Sequence, residues 1–294
     1  MGLLEKYDNF IFDMDGVIYI EDRPIKGAKE LFQKLKDSGK GYVFMTNNSQ
    51  YSVPGYLRRL KSMGIEVEPD QIISSARVTA HYVRDTFGKG KVTTYVIGSN
   101  ACKAEMEQAG IKVLSGEEGK KADLVIVGLD VNFSYKKLRI ASLAIRNGAA
   151  FIGTNADATF PGTEGVYPGA GSLIAALEAS TGQKATSIGK PARPMLDAAL
   201  KYFGNNGQKT LIVGDRLDTD ILMGNLFGID TALVLTGINT RKDVESSSAR
   251  PTYILDGIWS LLEVEGPGPM ARGVPYQEEI FVSMPGVAQN NQPE

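Results

Sequence analysis

The sequence predicts an α/β fold: a mostly parallel sheet between helical layers, with a smaller α/β unit inserted into it. Short apolar or β-branched runs alternate with longer helical patterns from one end of the chain to the other, the grammar of βα units around a parallel sheet. Several helical stretches open on Ser, Asp or Pro and close on Gly, as helix ends prefer. The same alternation also restarts as a self-contained block in the middle of the chain.

Taken in order, strands are expected at residues 10–13 and 42–46, with helices at 28–37, 53–63 and 75–86. Strands at 211–215, 232–235 and 253–255, with helices at 194–203 and 218–227, complete the same sheet, a Rossmann-like three-layer core. The middle block carries strands at 94–97, 111–113, 124–129 and 150–153 and helices at 100–108 and 135–146. The expected division is therefore a discontinuous core at 1–89 and 186–263, an inserted α/β domain at 90–185, and a tail at 264–294. The tail is rich in Pro, Gly, Asn and Gln and shows no sustained period. It is expected to be disordered or loosely docked, with Ile280-Phe281-Val282 as the one stretch able to pair as an edge strand.

Composition narrows the chemistry. The 294 residues are 43% apolar and 22% charged, enough for a sizeable core. Lys and Arg number 32 against 34 Asp and Glu, a net charge of −2, so the basic footprint of a nucleic-acid binder is missing and no nucleic-acid partner is expected. A single cysteine, Cys102, supports neither a disulfide nor a cysteine-based zinc site and points to a reducing compartment. At the start of a helix its thiol could have a lowered pKa, but without a partner it reads as incidental. One histidine, His81, sits within a helical pattern and reads as structural or surface. Catalysis would thus run on carboxylates, hydroxyls, lysine and backbone amides. The N-terminus lacks a basic region followed by an apolar stretch, and no segment approaches the roughly 18 apolar residues of a membrane span. A cytoplasmic chain with no membrane partner is the expectation.

The sharpest local signal is Phe10-Ile11-Phe12-Asp13-Met14-Asp15-Gly16-Val17. An apolar strand ends in two carboxylates at i and i+2, and a glycine lets the backbone turn so that both can converge on one atom. Carboxylates this close push one pKa upward, which suits a nucleophile beside a separate acid/base. Phe44-Met45-Thr46-Asn47-Asn48-Ser49 ends a second strand in a hydroxyl and two amides ahead of a helix, groups suited to phosphate oxygens. Leu211-Ile212-Val213-Gly214-Asp215-Arg216-Leu217-Asp218-Thr219-Asp220 delivers acids at a third strand end. Asp13, Asp15, Asp215 and Asp220 together are hard oxygen donors of the kind Mg²⁺ prefers, while Asp218 reads as a helix cap. Ile188-Gly189-Lys190-Pro191 adds one fixed cation able to stabilise a phosphorylated aspartate. Singly, each segment has a plainer reading: a capping Asp, an ordinary capped turn, a solvated lysine. Their convergence at the carboxyl ends of the strands, where open α/β sheets bind ligands, favours a site.

These four segments, in this order, resemble the motifs of the haloacid dehalogenase-like phosphatases across roughly residues 8–263. The resemblance is nearest to the 4-nitrophenylphosphatase, phosphoglycolate phosphatase and nucleotide phosphatase group, whose α/β cap sits between the second and third motifs. It implies Asp13 as nucleophile, Asp15 as general acid/base, Thr46 and Asn47 with Asn48 on the phosphoryl group, and Lys190 on the phosphoaspartate. It further implies Mg²⁺ held by Asp13, the Asp15 backbone carbonyl and Asp215, with Asp220 as a further partner. In the cap, Gly153-Thr154-Asn155-Ala156-Asp157 looks like a substrate-facing loop, with Asn155 and Asp157 on the leaving group. The implied activity is hydrolysis of a small-molecule phosphomonoester through an aspartyl phosphate, and a homodimer is allowed. Two other readings share the aspartate: a receiver-like phospho-switch, which Asp15 and the cap argue against, and a phosphomutase.

Overall fold

The structure is a computed structural model, and it describes residues 2–162, 164–204, 209–263 and 268–269. Nearly all of the expected tail, including Ile280-Phe281-Val282, lies outside the described residues. The chain opens with α1 (Leu3–Lys6), β1 (Asn9–Phe12) and a small antiparallel hairpin, β2 (Tyr19–Ile20) and β3 (Arg23–Pro24). There follow α2 (Ala28–Asp37), β4 (Gly41–Thr46), α3 (Val53–Ser62), β5 (Ile72–Ser74) and α4 (Ser75–Phe87). The middle block is β6 (Thr93–Ile97), α5 (Asn100–Gln108), β7 (Lys112–Leu114), β8 (Leu124–Val127), α6 (Tyr135–Arg146), β9 (Ala150–Gly153), the hairpin β10 (Thr159–Gly162) and β11 (Gly165–Pro168), α7 (Ala170–Thr181) and β12 (Thr186–Ser187). The chain returns through α8 (Arg193–Tyr202), β13 (Thr210–Gly214), α9 (Leu222–Phe227), β14 (Asp230–Val234), α10 (Arg241–Ser246) and β15 (Tyr253–Leu255).

Two parallel sheets result. The larger has the order β15-β14-β13-β1-β4-β5, and the smaller, the cap sheet, has the order β12-β9-β8-β6-β7. Every adjacent pair in both is parallel, which requires helical crossovers and buries both faces. That is why Phe10-Ile11-Phe12 of β1 and the whole of β8 read as unbroken apolar runs rather than as alternating ones. Side chains still alternate between faces: Phe10 and Phe12 enter one apolar cluster and Ile11 another.

The second of these clusters crosses from core to cap. It joins Ile11, Val43, Met45 and Ile212 of the large sheet, through α4 and α8, to Met106 of α5 and to Val96, Leu124, Ile126 and Ile152 of the small one. Polar bonds reinforce the joint. Ser99 Oγ donates to the Ser49 carbonyl at 2.7 Å and Ser49 Oγ accepts from Leu129 N at 3.2 Å. Glu105, buried on α5, accepts from the Val53 amide at the start of α3, a helix whose N-cap Ser52 makes no side-chain capping bond. The cap thus supplies a capping carboxylate to a core helix.

The structure departs from the sequence expectation in short or unpatterned elements. β5 and β12 are too short to stand out, and β12, at residues 186–187, pairs with β9 of the cap sheet. α7 has an almost wholly small or apolar sequence, AGSLIAALEAST, without a strong polar face, so no helical period marks it. The helix expected at 218–227 starts later: Leu217–Ile221 forms a wide π-type turn and α9 begins at Leu222. Asp218 does not cap it but pairs with the Arg216 guanidinium at 2.8 and 3.0 Å. Cys102 is buried and its thiol is pushed up to about 12, chiefly by burial, because desolvation of the thiolate outweighs the helix start. Among the described residues, no helix is long and apolar enough to cross a membrane.

Candidate active site

Strands β13, β1 and β4 are neighbours in register, Phe12 lying opposite Val213 on one side and Phe44 on the other. Asp13 and Asp215, which directly follow β1 and β13, and Thr46, the last residue of β4, therefore emerge together at the carboxyl ends of the strands. They floor a cavity of about 730 Å³ whose walls come from three directions. The cap contributes Leu129, Asn155, Asp157, Phe160 and Tyr167; the β2–β3 hairpin contributes Tyr19 to Asp22; α3 and the loop before it contribute Asn48, Tyr51 and Arg59.

At the floor, Lys190 is 3% exposed, with Nζ 2.7 Å from Asp13 Oδ1 and 2.8 Å from Asp220 Oδ1. Burial alone would push this ammonium's pKa down, but Asp13 and Asp220 hold it above its ordinary value. Asp13 itself is raised by burial against the pull of Lys190. Asp215 is raised well above the carboxylate range by burial and then by Asp13 and Asp220. Its Oδ2 accepts from the Ile238 amide at 2.7 Å, whereas its Oδ1 is buried with no partner among the described residues. Single carboxylate oxygens of Asp13, Asp215 and Asp220 all lie within 4.8 Å of one another. Three buried carboxylates thus face one ammonium.

That charge deficit, the all-oxygen donor set and the orphaned Asp215 Oδ1 fit a small divalent cation such as Mg²⁺. The backbone keeps the space open: a Cβ on Gly237 would stand 1.9 Å from Asp215 Oδ2, and one on Gly16, whose φ is +77°, would stand 2.6 Å from it. Only glycine suits both the contact and the left-handed turn at Gly16.

The other expected residues separate into two kinds. Asp15, half-buried, lines the cavity and has its pKa raised by burial, against the Arg59 charge and a hydrogen bond from Asn48. Thr46 Oγ1 accepts from the Asn48 amide at 3.0 Å and hydrogen-bonds the Tyr56 hydroxyl. Asn47 and Asn155 also border the cavity, but their side chains serve as ties. Asn47 Nδ2 donates to Asp157 Oδ1 at 3.2 Å and to the Lys190 carbonyl at 3.1 Å, and Oδ1 accepts from Lys190 N at 2.8 Å. Asn155 Nδ2 donates to the Asn47 carbonyl at 2.8 Å and to Thr154 Oγ1, and Oδ1 accepts from the Asp157 amide. Asp157 faces Arg216 and Lys190, with burial raising its pKa against both charges. Asp220 lies behind the floor, not on the lining, with Oδ1 on Lys190 and Oδ2 accepting from Thr219 Oγ1 at 3.2 Å. Sequence reasoning missed Tyr19, Arg59 and Arg216. Arg59 follows Tyr56 by three residues on α3, one step from the buried Val53–Tyr56–Leu60 stripe, and that helical offset was the available signal.

A sequence profile of haloacid dehalogenase-like hydrolases matches residues 10–112, and a second, HAD-hydrolase-like, matches 187–261. An acid sugar phosphatase of Staphylococcus haemolyticus is 34% identical over 250 residues, 85% of this chain and 93% of that protein. The chain belongs to the haloacid dehalogenase-like hydrolases. Among solved haloacid dehalogenase-like structures, a 4-nitrophenylphosphatase from Thermotoga maritima superposes with a TM-score of 0.83 at 35% identity, covering 90% of this chain and all of that one. A glycerol phosphate phosphatase from Mycobacterium tuberculosis, solved in complex with magnesium, superposes with a TM-score of 0.81 at 32% identity over 89% of this chain and 78% of that one. The fold is thus that of a haloacid dehalogenase-like phosphatase with a cap, and the enzyme's relatives cleave phosphate esters.

Proposed function

We propose that this chain is a Mg²⁺-dependent phosphomonoesterase acting on a small molecule through an aspartyl phosphate on Asp13. The observation that carries the proposal is the cavity floor: Asp13 held at 2.7 Å by the buried Lys190, with a second carboxyl, Asp15, two residues on along the same lining. The names of the relatives support the reaction class and span sugar, glycerol and aryl phosphates.

In the first half-reaction a carboxylate oxygen of Asp13 attacks phosphorus and the ester P–O bond breaks. The Asp15 carboxyl gives its proton to the departing oxygen. Its burial-raised pKa favours the protonated form this step needs. In the second, the Asp15 carboxylate takes a proton from water, the water oxygen attacks phosphorus, and inorganic phosphate leaves as the Asp13 carboxylate is restored. Lys190 Nζ and the Thr46 hydroxyl hold phosphoryl oxygens, and Asn47 and Asn48 shape the loop that presents them. Asp13, Asp215 and the Asp15 backbone carbonyl would hold Mg²⁺, which supplies neutralisation of phosphoryl charge when bound. Asp220, with both oxygens engaged, acts mainly by aiming Lys190. The cap closes the cavity over the leaving group and admits small esters, with Asp157 as its facing polar group and Asn155 as the tie that sets the loop.

The test is Asp15→Asn. With an activated aryl ester, whose leaving group needs no proton, Asp13 should still be phosphorylated slowly and the acyl phosphate hydrolysed more slowly still. Intact mass after an acid quench should show one added phosphoryl group, absent from Asp13→Asn. Steady-state phosphate release should fall by about 10²–10⁴. Near wild-type turnover in Asp15→Asn would exclude the assignment. Stoichiometric phosphorylation of the wild type without phosphate release would indicate a phospho-switch, and transfer to a second substrate hydroxyl a phosphomutase.

A further inference from the structure

One wall of the cavity holds two buried polar atoms that nothing among the described residues satisfies. Among the described residues Arg59 Nε and Tyr19 Oη are both without a hydrogen-bond partner, and both residues line the cavity that contains Asp13 and Asp15. Tyr19 is fully buried, and Arg59 has a side chain only 15% exposed. Buried donors are ordinarily paired, so two orphans on stacked side chains of one cavity wall mark a place where a ligand atom completes the network.

The pair is also held still. The Arg59 guanidinium lies 4.2 Å from the centre of the Tyr19 ring and 5.4 Å from that of Tyr51. Its Nη2 reaches the carbonyl of Glu21 and stands 3.4 Å from Asp22 Oδ1. Glu21, at φ +52°, is the one non-glycine among the described residues in the left-handed region, a conformation that needs external support. Arg59 pins the hairpin tip at that residue. Nη2 serves the hairpin, and Nε–H remains for the cavity.

We propose that Arg59 Nε–H, with Tyr19 Oη–H beside it, is the leaving-group subsite of the phosphatase and selects esters whose leaving group carries a hydroxyl near the ester oxygen. This rests on the phosphomonoesterase reading above. The charge of the surroundings chooses the hydroxyl over a carboxylate. Acidic side chains on the lining are Asp13, Asp15, Glu21, Asp22, Asp157 and Asp215, against the cations Lys190, Arg59 and Arg216. Lys190 is engaged by Asp13 and Asp220, and Arg216 by Asp218 in a two-point pair. A further carboxylate would enter a surplus of negative charge. A hydroxyl oxygen has two lone pairs to accept from Arg59 Nε and Tyr19 Oη and can donate its own proton to a neighbouring carboxylate, so it satisfies the orphans without adding charge. Arg59 is also the strongest opposing charge on Asp15, which places the subsite next to the group that protonates the ester oxygen.

The test compares 3,4-dihydroxybutylphosphonate with butylphosphonate by calorimetry on the full-length, Mg²⁺-loaded protein. The two probes share the non-hydrolysable phosphonate and chain length and differ in the hydroxyls. The wild type should bind the dihydroxy probe at least about tenfold more tightly, the worth of a hydrogen bond to a charged donor. In Arg59→Met that ratio should fall to within about twofold. Arg59→Lys, which keeps the charge and loses the Nε–H, should lose most of it too. A wild-type ratio near one, or a ratio that survives either substitution, overturns the proposal, and a variant that weakens both probes equally counts as survival. The phosphatase reading is scored separately by phosphate release from glycerol 3-phosphate. Release with a ratio near one refutes the Arg59 subsite alone. A ratio that follows Arg59 in a protein releasing no phosphate from any ester refutes the phosphatase reading alone.

Discussion

Replacing Lys190 by Met should destabilise the metal-free protein severely, and the size of the loss follows from the floor of the cavity. Lys190 Nζ touches Asp13 Oδ1, Asp220 Oδ1 and the Met45 carbonyl at 2.7, 2.8 and 3.3 Å, with 3% of the residue exposed. Met fills the same channel but leaves three buried carboxylates, within 4.8 Å of one another, with no counter-charge. Removing one partner of a buried ion pair costs about 3–5 kcal/mol. In a domain of this size each kcal/mol shifts the midpoint by about 2–4 °C, so a drop in Tm of roughly 6–20 °C follows. The loss should also depend on pH. Burial already pushes the Asp220 carboxyl up to about 6 from an ordinary value of 3.8, even with Lys190 pulling it down. Between those values the folded protein binds more protons than the unfolded chain, so this carboxyl costs stability increasingly as pH rises through the window. Without Lys190 the window extends upward, and the gap between variant and wild type should be smaller at pH 5 than at pH 8. Urea denaturation in EDTA at both pH values measures it. Adding Asp220→Asn to Lys190→Met should recover part of the loss, because one uncompensated charge is gone. A loss below about 1 kcal/mol, or a double variant no more stable than Lys190→Met, would refute the account of the floor as a charge cluster held by one ammonium.

Two further outcomes are expected. Asp215→Asn should raise the Mg²⁺ concentration needed for half-maximal activity, lower the maximal rate and shrink the thermal shift that Mg²⁺ produces, since a neutral amide is a poorer hard-cation ligand; unchanged Mg²⁺ dependence in the folded variant would remove Asp215 from the metal site. Glu105→Ala should cost about 1–2 kcal/mol in urea denaturation, because the Val53 amide loses the carboxylate that caps α3, whereas Glu107→Ala, two residues along on the exposed face of α5, should cost much less; equal losses would mean that the cap does not brace that helix.

Much of this architecture is legible before any coordinates because parallel strands buried on both faces must be apolar throughout. Phe10-Ile11-Phe12 and Leu211-Ile212-Val213 announce themselves for that reason. The floor is legible because its acids stand directly at strand ends, at positions set by two or three residues of spacing. What escapes is set by tertiary neighbours. Arg59 looks like any helix-surface arginine until β2 and β3 fold over it. Asn47 and Asn155 were expected to address the ligand, and nothing local in the sequence reveals that their amides bond to each other's loops. α7 is hidden because a small-residue helix between a hairpin and the cap sheet carries little periodic contrast.

The apolar cluster that crosses from Ile11, Val43 and Met45 to Val96, Leu124 and Ile152 bears on how enzymes of this kind can be recombined. A transplanted cap would bring its own half of that interior and meet a foreign half on the central strands of the recipient, where each mismatch opens a void or forces an overlap. It would also need a serine at 49 and an amide at 47 in the recipient to receive its loops. Chimeras cut only at the two chain crossings should therefore fold poorly. Exchange of specificity is better sought in the few lining residues that belong to neither interior, such as Leu129, Phe160 and Tyr167.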